Sequence, residues 1–307
     1  MQRKQFSHLG LSLCVYFVLT AALQWCIPIV CSQWFDVTSN VWVYFSVMYL
    51  PGYLLAAPYA YILMRMRTVG VPPRRNIAPL KLLSCLPVCF AAMYAGNFLG
   101  NIVNTVITLC TGRAPDNTIA ALVDYASPLP MLVFVVILGP IVEEVIFRKG
   151  LIDLLYPFGE KVAVIFSAVL FAALHGNFYQ FFYAAGVGAV LALLYCRTGK
   201  LRYTIFLHSL FNLLGSIVSP WVLSISEDLS AGSTLSLIVG LMGMLFSILY
   251  SGAMIALLVL GIVLIVRTRK SFRFRPGIPL QSKTVTFCNV GIIFLSAISL
   301  TLFILNI

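Results

Sequence analysis

Two adjacent glutamates, Glu143 and Glu144, close an apolar run over residues 131–142 in a chain that otherwise avoids charge. Two more segments each place a histidine in a similar apolar setting, His175 in FAALHG and His208 in FLHSLFN, and the chain has only three histidines. Ionisable groups at membrane depth are costly and serve a pathway, a relay or a reaction. A carboxylate in an apolar cavity suits a general base acting on water. A neighbouring histidine can share the proton or orient that water, and a second histidine with an asparagine amide can donate hydrogen bonds to a developing oxyanion. Those parts are sufficient for amide hydrolysis without a nucleophilic Ser or Cys. Neither HExxH nor GxSxG occurs.

Spacing sorts these residues into pairs. Glu144 and Arg148 stand i,i+4 and share a helical face, so they can pair. Glu143 points about 100° away around the helix and is the freer carboxylate. His208 and Asn212 are also i,i+4, and Phe171 lies one turn before His175. A turn is expected around Pro157 and Gly159. Glu143 lies sixteen residues before Gly159 and His175 sixteen after it, so two antiparallel helices would bring them to the same height.

The elements that must hold these residues are membrane spans. The chain is 61% hydrophobic and 9% charged, with a mean hydropathy of +1.01, against roughly 25% charged residues in a soluble domain. Nine apolar runs recur at about 9–31, 41–63, 82–110, 129–147, 162–178, 180–196, 203–224, 235–266 and 286–306. The fifth and sixth almost touch, and the eighth is long enough to tilt strongly or to break at its glycines. The expectation is an all-α, polytopic transmembrane helical bundle of eight or nine spans. It divides into N-terminal transmembrane helices over 1–128, a catalytic core over 129–224 and C-terminal transmembrane helices over 225–307. The first run is too long for a signal peptide and is expected to remain as an anchor.

The net charge of +11 does not point to nucleic acid. With the N-terminus inside, 19 of the 20 Lys and Arg fall in inner loops and only Arg113 outside, as the positive-inside rule requires. The N-terminus is therefore expected in the cytosol, and the lipid bilayer is the partner of the basic loops. The eight cysteines lie in or beside apolar runs and form no CxxC pair.

The motifs Glu143-Glu144-Val-Ile-Phe-Arg148, Phe171-Ala-Ala-Leu-His175 and His208-Ser-Leu-Phe-Asn212 resemble those of the CPBP intramembrane proteases, the Abi-like family of CAAX prenyl proteases and bacteriocin-processing enzymes. The resemblance covers residues 129–224 and shows no departure at the motif positions. It implies an intramembrane endopeptidase in which Glu143, helped by His175, activates water. His208 and Asn212 would form the oxyanion hole, and Glu144 and Arg148 would brace the base. No cofactor is implied by the glutamate mechanism. A zinc-dependent version, with Glu143, His175 and His208 as ligands and an open fourth position, stays open.

The resemblance also implies a membrane-associated or lipidated peptide or protein substrate. Eukaryotic members trim prenylated C-terminal tripeptides, whereas bacterial ones mature or neutralise small peptides. The compact chain looks like the bacterial branch, which places it in a bacterial plasma membrane. Two other readings use the same residues: a non-catalytic membrane scaffold or immunity protein, and a proton-coupled transporter. No pair of broken helices in repeated halves supports the transporter.

Overall fold

The computed structural model of the chain describes residues 2–67, 70–117, 127–227, 234–282 and 286–306, which form helices and loops with no strand among them. In chain order the helices are α1 Gln2–Cys31, α2 Val41–Arg65, α3 Pro79–Thr111, α4 Pro128–Phe158, α5 Glu160–Ala173, α6 Phe178–Thr198, α7 Leu201–Val222, α8 Thr234–Thr268 and α9 Val290–Leu305. Each coincides with one of the nine apolar runs. Seven of them are long and apolar enough to cross a membrane; α5 and α9 are shorter. With 14 and 16 residues, they rise only about 21 and 24 Å, less than a hydrocarbon core of about 30 Å. The chain is a polytopic helical membrane protein.

The run expected over 162–178 ends early for a local reason. Gly176 adopts a left-handed φ of 65°. The Asn177 side chain then caps α6 by accepting from the Gln180 N–H. α8, in contrast, runs through its glycines without a break.

α4 is the irregular helix. Two π-helical stretches, Met131–Leu138 and Val145–Gly150, flank an α-helical segment, Gly139–Glu144. The first follows from Gly139-Pro140. The Gly139 N–H reaches back five residues to the Phe134 carbonyl, and Pro140 has no N–H to offer. The Val135 carbonyl, five residues before Pro140, therefore lacks the donor that a continued π turn would supply. Such π turns recur at functional sites.

One core unites the beginning, middle and end of the chain. Phe6, Leu9 and Leu13 of α1, Ala60 and Met64 of α2 and Leu295 of α9 bury against Ile146, Phe147, Leu151 and Leu155 of α4. Glycines allow the closest approaches. Gly10 of α1 meets the backbone of Gly291 in α9, and Gly96 of α3 meets the backbone of Tyr183 in α6. A side chain at either position would force the helices apart.

The basic ends of the helices are tied together. Asp153 of α4, fully buried, receives Arg65 Nη1 at 3.0 Å, Lys149 Nζ at 3.6 Å and the Tyr195 hydroxyl at 3.0 Å. Glu160, also fully buried, lies 2.7 Å from Arg197 Nη2 and 3.5 Å from Arg275 Nε. Residues 273–281 cross this end as a strap. The Arg275 N–H donates to Glu160, the Ile278 N–H to the Pro157 carbonyl and the Gln2 amide to the Pro279 carbonyl. The basic stretch after α8 is thus fastened to α1, α4, α5 and α6.

Candidate active site

α4 presents Glu143, Glu144 and Arg148 on its middle turns. The pair expected from the i,i+4 spacing forms in two-pronged geometry: Arg148 Nε donates to Glu144 Oε2 at 2.9 Å and Nη2 to Oε1 at 3.2 Å. The third prong, Nη1, donates to Ser167 Oγ at 2.6 Å, and that hydroxyl donates in turn to the Phe147 carbonyl at 2.9 Å. Both side chains of the pair are fully buried, while the Glu143 side chain keeps 24% of its exposure. A buried ion pair is tolerable only when its remaining hydrogen-bonding groups are satisfied, and here Ser167 helps to satisfy them. Glu144 is committed to Arg148; Glu143 lies outside that pair.

His208, from α7, stands between the two glutamates. Its Nδ1 lies 3.0 Å from Glu144 Oε1, and its Nε2 lies 3.6 Å from Glu143 Oε2. Glu144 already accepts from Arg148, so it is an acceptor toward the ring and Nδ1 carries the hydrogen. Nε2 is then the nitrogen turned to Glu143.

His175 follows α5 in the turn that leads to α6. Its Nδ1 lies 3.1 Å from the Phe171 carbonyl. A carbonyl only accepts, so this nitrogen donates and Nε2 of the neutral ring keeps its lone pair. The Asn177 amide holds the His175 carbonyl at 2.8 Å. Phe171 links His175 to His208, and through that ring to Glu143.

Phe171 is the wedge between these groups. Its ring meets His175 edge-on at 5.2 Å and His208 at 5.7 Å, and it packs against Phe147 at 5.4 Å. The Arg148 guanidinium lies over its face at 5.1 Å, a favourable cation–π contact.

Asn212 lies one turn beyond His208, but its amide is occupied across the bundle. Nδ2 donates to the Val135 carbonyl at 2.9 Å, the carbonyl that Pro140 leaves without a helical donor. The neighbouring Phe134 carbonyl takes the Tyr53 hydroxyl at 3.2 Å. One N–H of the Asn212 amide is thus anchored to α4.

Ser167, Pro140 and Tyr53 escaped the sequence reading. Ser167 had a signal: it continues the Phe171–His175 stripe one turn back, at i, i+4 and i+8. The Gly139-Pro140 pair marked a backbone irregularity. Tyr53 had no signal, since its contact depends on how α2 docks against α4. Among the described residues, no group of three or more His, Cys, Asp or Glu is placed to hold a metal ion.

Residues 125–214, the stretch that carries all of these motifs, match the family described as type II CAAX prenyl endopeptidase Rce1-like. The resemblance read from the motifs therefore stands. The chain is 31% identical over 160 residues to a Bacillus subtilis (strain 168) protein described as "Putative membrane peptidase YdiL". That alignment covers 49% of this chain and 63% of the relative. It is 29% identical over 150 residues to "Membrane-embedded CAAX protease MroQ" of Staphylococcus aureus (strain USA300), covering 46% of this chain and 57% of the relative. The chain thus spans less than two thirds of the length of either relative. No solved structure matches.

Proposed function

We propose that this chain is a membrane-embedded endopeptidase that cleaves a membrane-associated or lipidated peptide or protein with a water molecule activated by Glu143 and His175. The observation that carries this reading is the division of labour between the adjacent glutamates. Glu144 is buried and held by Arg148 and His208, whereas Glu143 is part-exposed and faces His208 Nε2 at 3.6 Å. A site built only to glue helices has no need of a second, uncommitted carboxylate beside the first. The family description and the names of the two relatives point to the same class of reaction.

In this mechanism Glu143 accepts a proton from water, with His175 Nε2 orienting the water through its lone pair. The resulting hydroxide adds to the scissile carbonyl carbon. His208, in the form that carries a hydrogen on Nε2, donates from that nitrogen to the oxyanion. The second N–H of Asn212 donates to the same oxygen. Collapse of the tetrahedral intermediate breaks the C–N bond, and the proton held by Glu143 passes to the leaving amine. In this reading the basic end faces the cytosol of a bacterium, in keeping with the positive-inside rule.

The test is a comparison of peptide ends. Cells producing the wild type and cells producing Glu143→Gln at matched levels are searched for new termini in membrane and secreted peptides. Termini present only with the wild type support proteolysis and identify the substrate; repeating the cleavage with a chelator decides the zinc question. Identical profiles, with a phenotype that survives the substitution, overturn the reading in favour of a scaffold.

A further inference from the structure

A second polar site lies at the basic end, away from the glutamates. A cleft of about 350 Å³ is lined by Arg3, Lys4, Ser7, His8 and Leu11 of α1, by Arg67 just after α2, and by Asn289 and Val290 at the start of α9. The α1 residues recur at positions 3/4, 7/8 and 11, so one face of one helix forms its wall. Arg3, Lys4 and Arg67 are exposed, and among the described residues no acidic side chain lines the cleft. Elsewhere at this end the buried acids are matched: Asp153 takes Arg65 and Lys149, and Glu160 takes Arg197 and Arg275. Three cations converging without a counter-charge leave a strongly positive cleft.

The remaining lining supplies shape and hydrogen bonding. His8 Nε2 is held by the Leu63 carbonyl at 2.7 Å, which fixes α1 against the end of α2. Ser7 Oγ accepts from the Gly291 N–H at 3.3 Å, which fixes α1 against α9 and leaves the hydroxyl hydrogen to donate. Leu11 and Val290 are 43% and 55% exposed. They continue the cleft along the helices toward the apolar belt. Positive above and apolar below is the profile of a phospholipid, and basic pockets between membrane helices take anionic headgroups.

We propose that this cleft binds the phosphate of an anionic phospholipid, with Arg3, Lys4 and Arg67 on the phosphate oxygens and Leu11 and Val290 along the first acyl carbons. α1 and α9, which supply most of the lining, cross closely at Gly10 and Gly291. Occupancy therefore joins α1, α2 and α9, helices that pack on the glutamate-bearing α4 through Phe6, Met64 and Leu295. The site does not depend on the protease reading, because it is assayed by binding alone.

The experiment is native mass spectrometry of the full-length protein released from detergent, titrated with phosphatidylglycerol or phosphatidylcholine. The wild type is expected to retain phosphatidylglycerol preferentially. Arg3→Gln/Lys4→Gln/Arg67→Gln should lose that preference, by about fivefold for each cation removed. The control Arg74→Gln/Arg75→Gln/Lys81→Gln removes the same charge from exposed positions at the same end and should keep it. Equal loss in both triple variants would mean a diffuse basic face and overturn the site. Equal retention of the two lipids by the wild type also overturns it. Millimolar inorganic phosphate or glycerol 3-phosphate should not displace the lipid; displacement would assign the cleft to a soluble phosphate and refute the lipid assignment.

Discussion

His208 Nδ1 stands 3.0 Å from Glu144 Oε1, a contact that adds to the Arg148 pair already holding this glutamate. Glu144 accepts from Arg148 and from His208 at once, and nothing of its side chain is exposed. Glu143, one residue earlier, keeps 24% of its side-chain exposure and meets the far nitrogen of the same ring at 3.6 Å. One histidine therefore stands between a fully buried carboxylate and a part-exposed one.

That asymmetry separates stability from activity. Glu144→Gln leaves a buried guanidinium without its counter-charge, a defect that costs about 3–5 kcal/mol. Its thermal melt in detergent should fall sharply, with little folded protein in the membrane. Glu143→Gln should melt like the wild type while peptide cleavage drops by about 100-fold or more, the scale of losing a general base. A Glu143 variant that unfolds beside a stable Glu144 variant would reverse the assignment.

Pro140 should act through Asn212. By withholding an N–H it leaves the Val135 carbonyl to the Asn212 amide. Pro140→Ala supplies an N–H that can bond to Val135 or Val136 and compete with that amide. Removing an interior proline relieves a helix of about 3 kcal/mol, so stability should hold or rise. Cleavage kcat should nevertheless fall by about tenfold or more, toward the loss seen when an oxyanion donor is removed, with KM little changed. Wild-type kcat in this variant would show that the clamp is merely structural.

Ser167 is predicted to matter for the fold rather than for the chemistry. Ser167→Ala leaves one buried Arg148 N–H without its partner and removes the hydroxyl donor to the Phe147 carbonyl, at a cost of about 1–3 kcal/mol. A lowered melting temperature with near-normal cleavage per folded molecule is the expected result. Lost cleavage without lost stability would place Ser167 in the reaction itself.

The strap over the basic end should open when Glu160 loses its charge. Glu160→Gln weakens the contacts with Arg197 and Arg275 that hold residues 273–281 in place. Brief trypsin treatment should then cut after Arg273 faster than in the wild type, while the helices stay intact; Arg275, followed by Pro276, is not a trypsin site. Equal cutting rates would mean that the bonds to the Pro157 carbonyl and from the Gln2 side chain hold the strap without help.

Much of this was written in local pattern. Runs of apolar residues located nine helices, because length and hydropathy are properties of a single segment. Spacing within one helix paired Glu144 with Arg148, stacked Phe171 under His175 and left Glu143 apart, because i,i+4 neighbours share a face whatever surrounds them. What lies between helices was not legible. His208 and Asn212 share a face of α7, yet one meets Glu144 and the other a backbone carbonyl of α4. That division depends on how α7 crosses α4 and on a π turn that shifts the register of everything after it. Ser167, Tyr53 and the phosphate cleft belong to the same class, since each exists only where separate helices meet. The sequence by itself determined the helices and the chemical groups they carry; tertiary packing alone decided which groups touch, because rotating a helix by a single residue swings its side chains by about 100°.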